Sequence, residues 1–443
     1  MVDPVDSPSP SSAQAWSGQI ADRYAIELTP VLADWFDREI WSSRGLREYG
    51  EPVSPENLLA DVPECIWPGL MGASLLPLMT NTFGDWICGR VSAENRIDTI
   101  IQWYHGGGDW IPWGHELSEA IVFDALQSRL PGKRRRHAIP ASDFPHSVPP
   151  HEQSQQAHDR LLTWSLEHMP DQITRLLDAV NTPADEVASV LIESGVAEVA
   201  VRCELIQASL NLSLLSSLPA GSIGVHEDNA QQVSRWSLDH DTIPDNVRDL
   251  IESACGSPDC LSQDWQAAET HAVAVTQLAP DVAWGWDIAG YAAQRRADLS
   301  TAQSRYLSGA KCSVFSDQSI RLQTHWTSSQ AGKFSAAMLA ESFPQTVSDS
   351  IYLQAVCESD SIRRSDLVSR YWIEHAEAAC RENDFSVALD YFHCAGWDLG
   401  MRPITAFAGL LDQIIDLAEK SGQRGRAAMA TVHRRCLRDR YGD

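Results

Sequence analysis

Lysine is scarce in this 443-residue chain, which holds only Lys133, Lys311, Lys333 and Lys420. None of them follows a G-x-x-x-x-G stretch, so a phosphate-binding loop, which needs a lysine closing its glycine turn, is excluded. Positive charge is short overall: 34 Lys and Arg stand against 60 Asp and Glu, a net −26. A polyanion gains nothing from counterion release and is repelled by phosphates, which makes nucleic acid a poor partner. Long apolar runs are also missing. No window reaches the roughly 18 consecutive apolar residues of a membrane-spanning helix. The opening MVDPVDSPSPSSAQAW carries two Asp and three Pro but no apolar core, so no secretory signal is expected and residues 1–20 read as a disordered leader.

Metal and disulfide patterns are lacking too. Ten cysteines lie singly along the chain, which suits reduced thiols in a cytoplasmic protein. His105 with His115, His226-Glu227-Asp228, Asp239-His240-Asp241 and Cys255-x4-Cys260 all lack a paired H-x-x-x-H or C-x-x-C spacing, so neither metal nor cofactor is expected. What remains is 44% apolar and 21% charged, the make-up of a folded protein long enough for two or three domains.

The most informative stretch is Trp67 to Trp113, with five of the sixteen tryptophans. A run from Leu75 to Met79 leads through a turn into Asp85-Trp86-Ile87-Cys88. A second, Ile97 to His105, alternates, with Ile97, Thr99, Ile101, Trp103 and His105 on one face. Period-two alternation with β-branched and aromatic residues predicts strands, and Asn81, Gly84 and Gly106-Gly107-Gly108 predict the turns of a β meander. Trp86 and Trp103 are expected in the core, and His105, last on its strand face, as a packed or hydrogen-bonded histidine. Trp110 and Trp113, which follow the glycines, are read as loop residues. Either they are exposed anchors with Asp109 and Glu116 as a polar rim, or they are buried.

The residues Leu76-Pro77-Leu78, Gly84-Asp85-Trp86, Cys88, Trp103, His105 and the helix from Leu117 resemble the core of the SUKH superfamily. That family includes Smi/Knr-type cell-wall regulators and bacterial immunity proteins paired with toxins. The resemblance spans roughly residues 26–130, under a third of the chain. It implies an α+β domain that binds protein, in many bacterial members a toxin. Two features depart from the family pattern: its Leu-Pro step and Asn-Gly turn are not evident in residues 31–66, and the Gly-Gly-Gly-Asp-Trp insert is more elaborate.

The expected organisation is a leader over 1–20, this α+β domain over 21–130, a Pro-rich basic linker over 131–150 (with Lys133 to His137), a helical region over 151–262 and helical repeats over 263–443. The repeat signal is a polar residue, a large apolar one, two spacers and Ala. It occurs at Asp264 to Ala268, Asp298 to Ala302, Lys333 to Ala337 and Asp384 to Ala388, so the alanines fall 34, 35 and 51 residues apart. The first two spacings resemble the tetratricopeptide period, and the third implies an insertion. Gly290, Ala302 and Tyr306, like Ala376, Ala388 and Phe392, pair small with large residues, as close-packed antiparallel helices require.

One enzymatic pattern competes. Tyr104-His105-Gly106-Gly107-Gly108 resembles the oxyanion turn of some α/β-hydrolases, which would need a nucleophile elbow. The nearest candidate is Ser222 in Ala220-Gly221-Ser222-Ile223-Gly224, without a strand-turn-helix signature around it. The sequence therefore favours an acidic, non-enzymatic protein-binding chain. Its acidic surface either serves solubility or steers a basic partner. Residues 1–130 alone carry a net −12.

Overall fold

The alternating residues form strands, as their period requires. A computed structural model describes residues 15–45, 47–81, 83–105, 108–131, 159–179, 181–218, 230–315, 331–400 and 403–442. Strands β1 (Glu51–Pro52), β2 (Leu75–Thr80), β3 (Trp86–Val91), β4 (Ile97–Tyr104) and β5 (Asp109–Gly114) make one antiparallel sheet in the order β1-β2-β3-β4-β5. The β2–β3 register shifts between Pro77 and Met79, at the residue that has no N–H to give. Helices α1 (Trp16–Tyr24), α2 (Pro30–Asp37), α3 (Pro55–Leu59) and α4 (Leu117–Leu126) flank the sheet. Thr29 caps α2 by accepting from Leu32 N–H, and Ser54 caps α3 by accepting from Asn57 N–H, each with proline in the first turn. Residues 16–20, expected in a leader, instead open α1. The i, i+4 pair Ile20 and Tyr24 is fully buried there and holds the helix.

Everything described beyond residue 159 is helical or irregular. Helices α5 (Arg160–Leu166), α6 (Asp171–Asp178), α7 (Ala184–Glu193), α8 (Glu198–Leu210), α9 (Leu214–Ser217), α10 (Ala230–Leu238) and α11 (Asp245–Cys255) come first. A run of helix pairs follows: α12 (Trp265–Leu278), α13 (Ala283–Arg295), α14 (Leu299–Lys311), α15 (Phe334–Ser342), α16 (Pro344–Ser348), α17 (Ile351–Val356), α18 (Ser361–Arg381), α19 (Phe385–Trp397), α20 (Phe407–Lys420) and α21 (Arg424–Tyr441). No described helix is long and apolar enough to cross a membrane.

The repeated motif marks helix starts. Asp264, Asp298 and Asp384 are the N-caps of α12, α14 and α19, each accepting from a backbone N–H three residues on. The motif alanines Ala268, Ala302 and Ala388 are fully buried. Gly290 faces Tyr306 so closely that a Cβ there would lie 2.5 Å from the ring.

The sheet and the helices share one apolar core. Trp164 of α5 packs on Trp35 of α2 at 5.2 Å and donates its indole N–H to Asp34 at 2.7 Å. One sheet face is covered by α4 and α5, and α8 packs along β5. At the far end of the chain α21 returns to the sheet unit. Arg426 donates to Val91 C=O at 3.2 Å, Arg435 pairs with Asp61 at 3.1 Å and Arg440 donates to Pro63 C=O at 2.6 Å. The expected linker from 132 on lies outside the described residues.

Two glycine substitutions test the helix-pair packing. Gly→Ala inside a helix normally stabilises by about 0.5–1 kcal/mol. Gly409→Ala in α20, where a Cβ meets open space, should raise the melting temperature. Gly290→Ala should lower it, because overpacking against the Tyr306 ring costs about 1–3 kcal/mol and outweighs the helix gain. Thermal melts of the two variants, side by side, check the sign of each.

Candidate partner-binding site

The residues that carry the sequence motif converge at one end of the sheet. The side chain of Asn81 closes the β2–β3 turn: its Oδ1 accepts from Phe83 N–H at 3.0 Å and Asp85 N–H at 2.9 Å. Its amide donates to Asp85 Oδ2 at 3.2 Å. Asp85 Oδ1 accepts the backbone N–H of His105 at 3.1 Å and lies 2.8 Å from His105 Nδ1. A carboxylate only accepts, so the proton of this bond sits on Nδ1. Gly84, at φ +90°, lets the turn pass the imidazole, 3.7 Å from where a Cβ would sit. Asn81 and Asp85 are buried, whereas the His105 side chain is 38% exposed. Phe83 stands at the tip, 62% exposed.

The tryptophans are distributed by register. Trp86 pairs with Trp103, and Trp103 with Trp110, which puts all three on one sheet face. Trp86 and Trp103 are buried as expected. Trp110 and Trp113 lie in β5, not in a loop, and they do not share a site. Three positions apart on one strand, they point to opposite faces, and the β4–β5 register shifts beside Trp113, between Ile100 and Ile101. Trp113 is buried against Tyr49 at 5.1 Å and Phe123 at 4.8 Å. Trp110 is half-buried, with the Arg90 guanidinium 4.9 Å over its ring.

Of the expected polar rim, Glu116 is engaged elsewhere, whereas Asp109 stays beside Trp110. Glu116 accepts from the Thr29 hydroxyl at 2.6 Å, and burial pushes its carboxyl up despite that bond. Asp109 accepts from Trp110 N–H at 2.8 Å. The anchor patch of Asp109, Trp110, Trp113 and Glu116 is therefore not formed. The alternation within β5 was hidden by Pro112 and by the glycines before it.

A second feature lies between the Trp103 face and the helix pairs. A cleft of about 180 Å³ has aromatic walls of Trp103, Trp110, Phe315 and Trp397, with Arg90 and His393 as polar members. Gly108, at φ +63°, lets the hairpin end approach Phe315: a Cβ there would sit 2.7 Å from that side chain. Arg90 pairs with Asp281 at 2.9 Å. Burial depresses the His393 imidazole to about 3 and pushes the neighbouring Cys394 thiol up to about 12, so both stay neutral at ordinary pH.

The chain has no match among protein-family models, curated proteins or solved structures. The site must be read from its own geometry. Among the described residues no group of three His, Cys, Asp or Glu side chains is placed to hold a metal. Gly106 and Gly107 of the oxyanion-type turn, and Ala220 to Gly224 with Ser222, lie outside the described residues. Phe83, Arg90 and Phe315 were not singled out from the sequence. For Phe83 a signal existed: a large aromatic inside Asn-Thr-Phe-Gly, where turn chemistry asks for polar or small residues.

The two tryptophans of β5 should differ on substitution. Trp113→Ala leaves a cavity in the core and should cost about 3–5 kcal/mol, whereas half-buried Trp110→Ala should cost clearly less. Equal losses in denaturant titrations would contradict the opposite-face placement.

Proposed function

We propose that this protein is a non-catalytic protein-binding module whose partner engages the tip formed by Phe83 and His105. The observation that carries the reading is the presentation of Phe83. A large apolar ring is held in water by a turn whose Asn81 and Asp85 are buried and bonded on every side. A rigid scaffold offering an exposed aromatic is what an interface anchor needs, because little is lost in ordering it.

Two resemblances support the reading. Gly84, Asp85, Trp86, Trp103 and His105, the residues similar to SUKH, meet across β3 and β4. The Asp-capped helices with buried alanines, and the Gly290–Tyr306 contact, favour a tetratricopeptide-like array. Toxin neutralisation is what the first resemblance implies, and a scaffolding or regulatory role is what the second implies. The net charge favours a basic partner in either case.

The test uses the purified products of the adjoining genes. Phe83→Ala should leave the melting temperature nearly unchanged, since exposed substitutions shift stability by about 0.5 kcal/mol or less. It should weaken binding by about 2 kcal/mol, roughly thirtyfold in Kd, as an anchor residue does. Calorimetry showing full affinity in Phe83→Ala would remove the tip as the site.

One observation favours the hydrolase alternative: Asp85 holds the His105 ring as an orienting carboxylate holds a general base. If that pair were catalytic, short acyl esters would be hydrolysed, and both His105→Ala and Ser222→Ala would abolish turnover. The binding reading expects no ester turnover in the wild-type chain.

A further inference from the structure

The cleft between the sheet and the helix pairs is separate from the Phe83 tip, and its chemistry points to a different kind of ligand. Its volume, about 180 Å³, exceeds the roughly 150 Å³ of an apolar cavity that takes up benzene. Four aromatic side chains, Trp103, Trp110, Phe315 and Trp397, form the walls, and such surfaces favour a planar guest through offset and edge contacts. Among the described residues one cation, Arg90, lines it. The Arg90 guanidinium is held in place over Trp110 and presents the planar fork that matches a carboxylate.

We infer that this cleft binds a small planar aromatic carboxylate, with the ring between the aromatic walls and the carboxylate on Arg90. The occupant of Arg90 in the free protein is Asp281, in the turn between α12 and α13 and 50% exposed. An exposed ion pair contributes little, so a carboxylate anchored by its own ring displaces it at small cost. His393, which lines the cleft, makes no hydrogen bond among the described residues and remains neutral through burial. It offers one donor and one acceptor to a polar substituent without adding charge. The overall charge of −26 opposes any anion, so affinity has to come from Arg90 and the walls together.

The experiment is calorimetry of the full chain with three probes: indole-3-carboxylate, indole and cyclohexanecarboxylate. Indole-3-carboxylate is expected to bind, indole about tenfold more weakly, and cyclohexanecarboxylate not measurably. Arg90→Gln should reduce indole-3-carboxylate to the affinity of indole while leaving indole itself unchanged. Asp281→Asn should tighten indole-3-carboxylate and not indole. Thermal melts confirm that each variant is folded, and Trp110→Leu provides a second, charge-neutral loss of binding. Three results would each overturn the assignment: no heat with indole-3-carboxylate for either wild type or Asp281→Asn, equal affinity for cyclohexanecarboxylate, or an affinity that Arg90→Gln does not change. None of them bears on whether Phe83 holds a protein partner.

Discussion

The sheet is apolar on both faces, and the rest of the chain is arranged around that constraint. Ile100 and Ile101 are neighbours on β4, so their side chains point to opposite sides, yet each is only 1% exposed. Burying one such side chain contributes about 1.5–3 kcal/mol, and a bare face would forfeit that several times over. An antiparallel sheet usually leaves one face to water. Here α4 and α5 cover one side. The helix pairs cover the other, through Phe315, Trp397 and, at the loop around Gly69, Ile404 and Phe407. Part of the helical half is thus committed to the chain's own sheet.

Within the array one departure from the repeat has a visible consequence. At the N-cap position where three motif copies carry Asp, the third copy carries Lys333, which cannot accept from the helix N–H groups. Its ammonium is buried, 3% exposed, and bonds the carbonyls of Ala310 and Cys312 at the end of α14 and Asp398 at 2.8 Å. Asp398, fully buried, also accepts from the Tyr352 hydroxyl at 2.5 Å and the Trp372 indole at 2.9 Å. Charges taken out of water are tolerated only when this fully bonded, and such clusters fix geometry more than they stabilise. The geometry fixed here includes the cleft. Val314 N–H reaches Asp398 Oδ1 at 3.4 Å, and Leu399 N–H reaches Val314 C=O at 2.5 Å. Phe315 and Trp397, which follow and precede those residues, are set on the cleft wall.

Much of this was legible in the sequence where the signal is local. Thr29-Pro30, Ser54-Pro55 and the Asp of three of the four motif copies mark helix starts because a side chain can accept only from N–H groups a few residues away. Strand β4 follows from alternation, β2 and β3 from short apolar runs bounded by turn residues, and the Gly290–Tyr306 contact from the small-large spacing. What failed was non-local. Once Asp109–Gly114 is a strand, Trp110 and Trp113, three positions apart, must point to opposite faces, but the pairing with β4 that makes it a strand is not visible in the segment itself. The bond that engages Glu116 comes from Thr29, and the cleft joins Trp103 and Trp110 to Phe315 and Trp397, far apart in the chain. Buried thiols, as for Cys88 and Cys65, fit a core reading, and their raised pKa values are a consequence of burial that spacing cannot reveal.

Charge closes the argument. Residues 1–130 carry a net −12, and α21 carries six arginines with one aspartate. Three of those arginines, Arg426, Arg435 and Arg440, are spent on the sheet unit, on Val91, Asp61 and the carbonyls of Pro63 and Ile66. Part of the acidic unit's charge is therefore met by the chain itself, and with α21 in place its net charge is −7. Steering of an external cation is correspondingly weaker there, and at physiological salt it reaches only about 8 Å. Long-range charge can then speed encounter but not select the partner. For the binding proposed at the Phe83 tip, selection would then fall to short-range contact, where an exposed ring slows release and a surrounding carboxylate mainly speeds encounter.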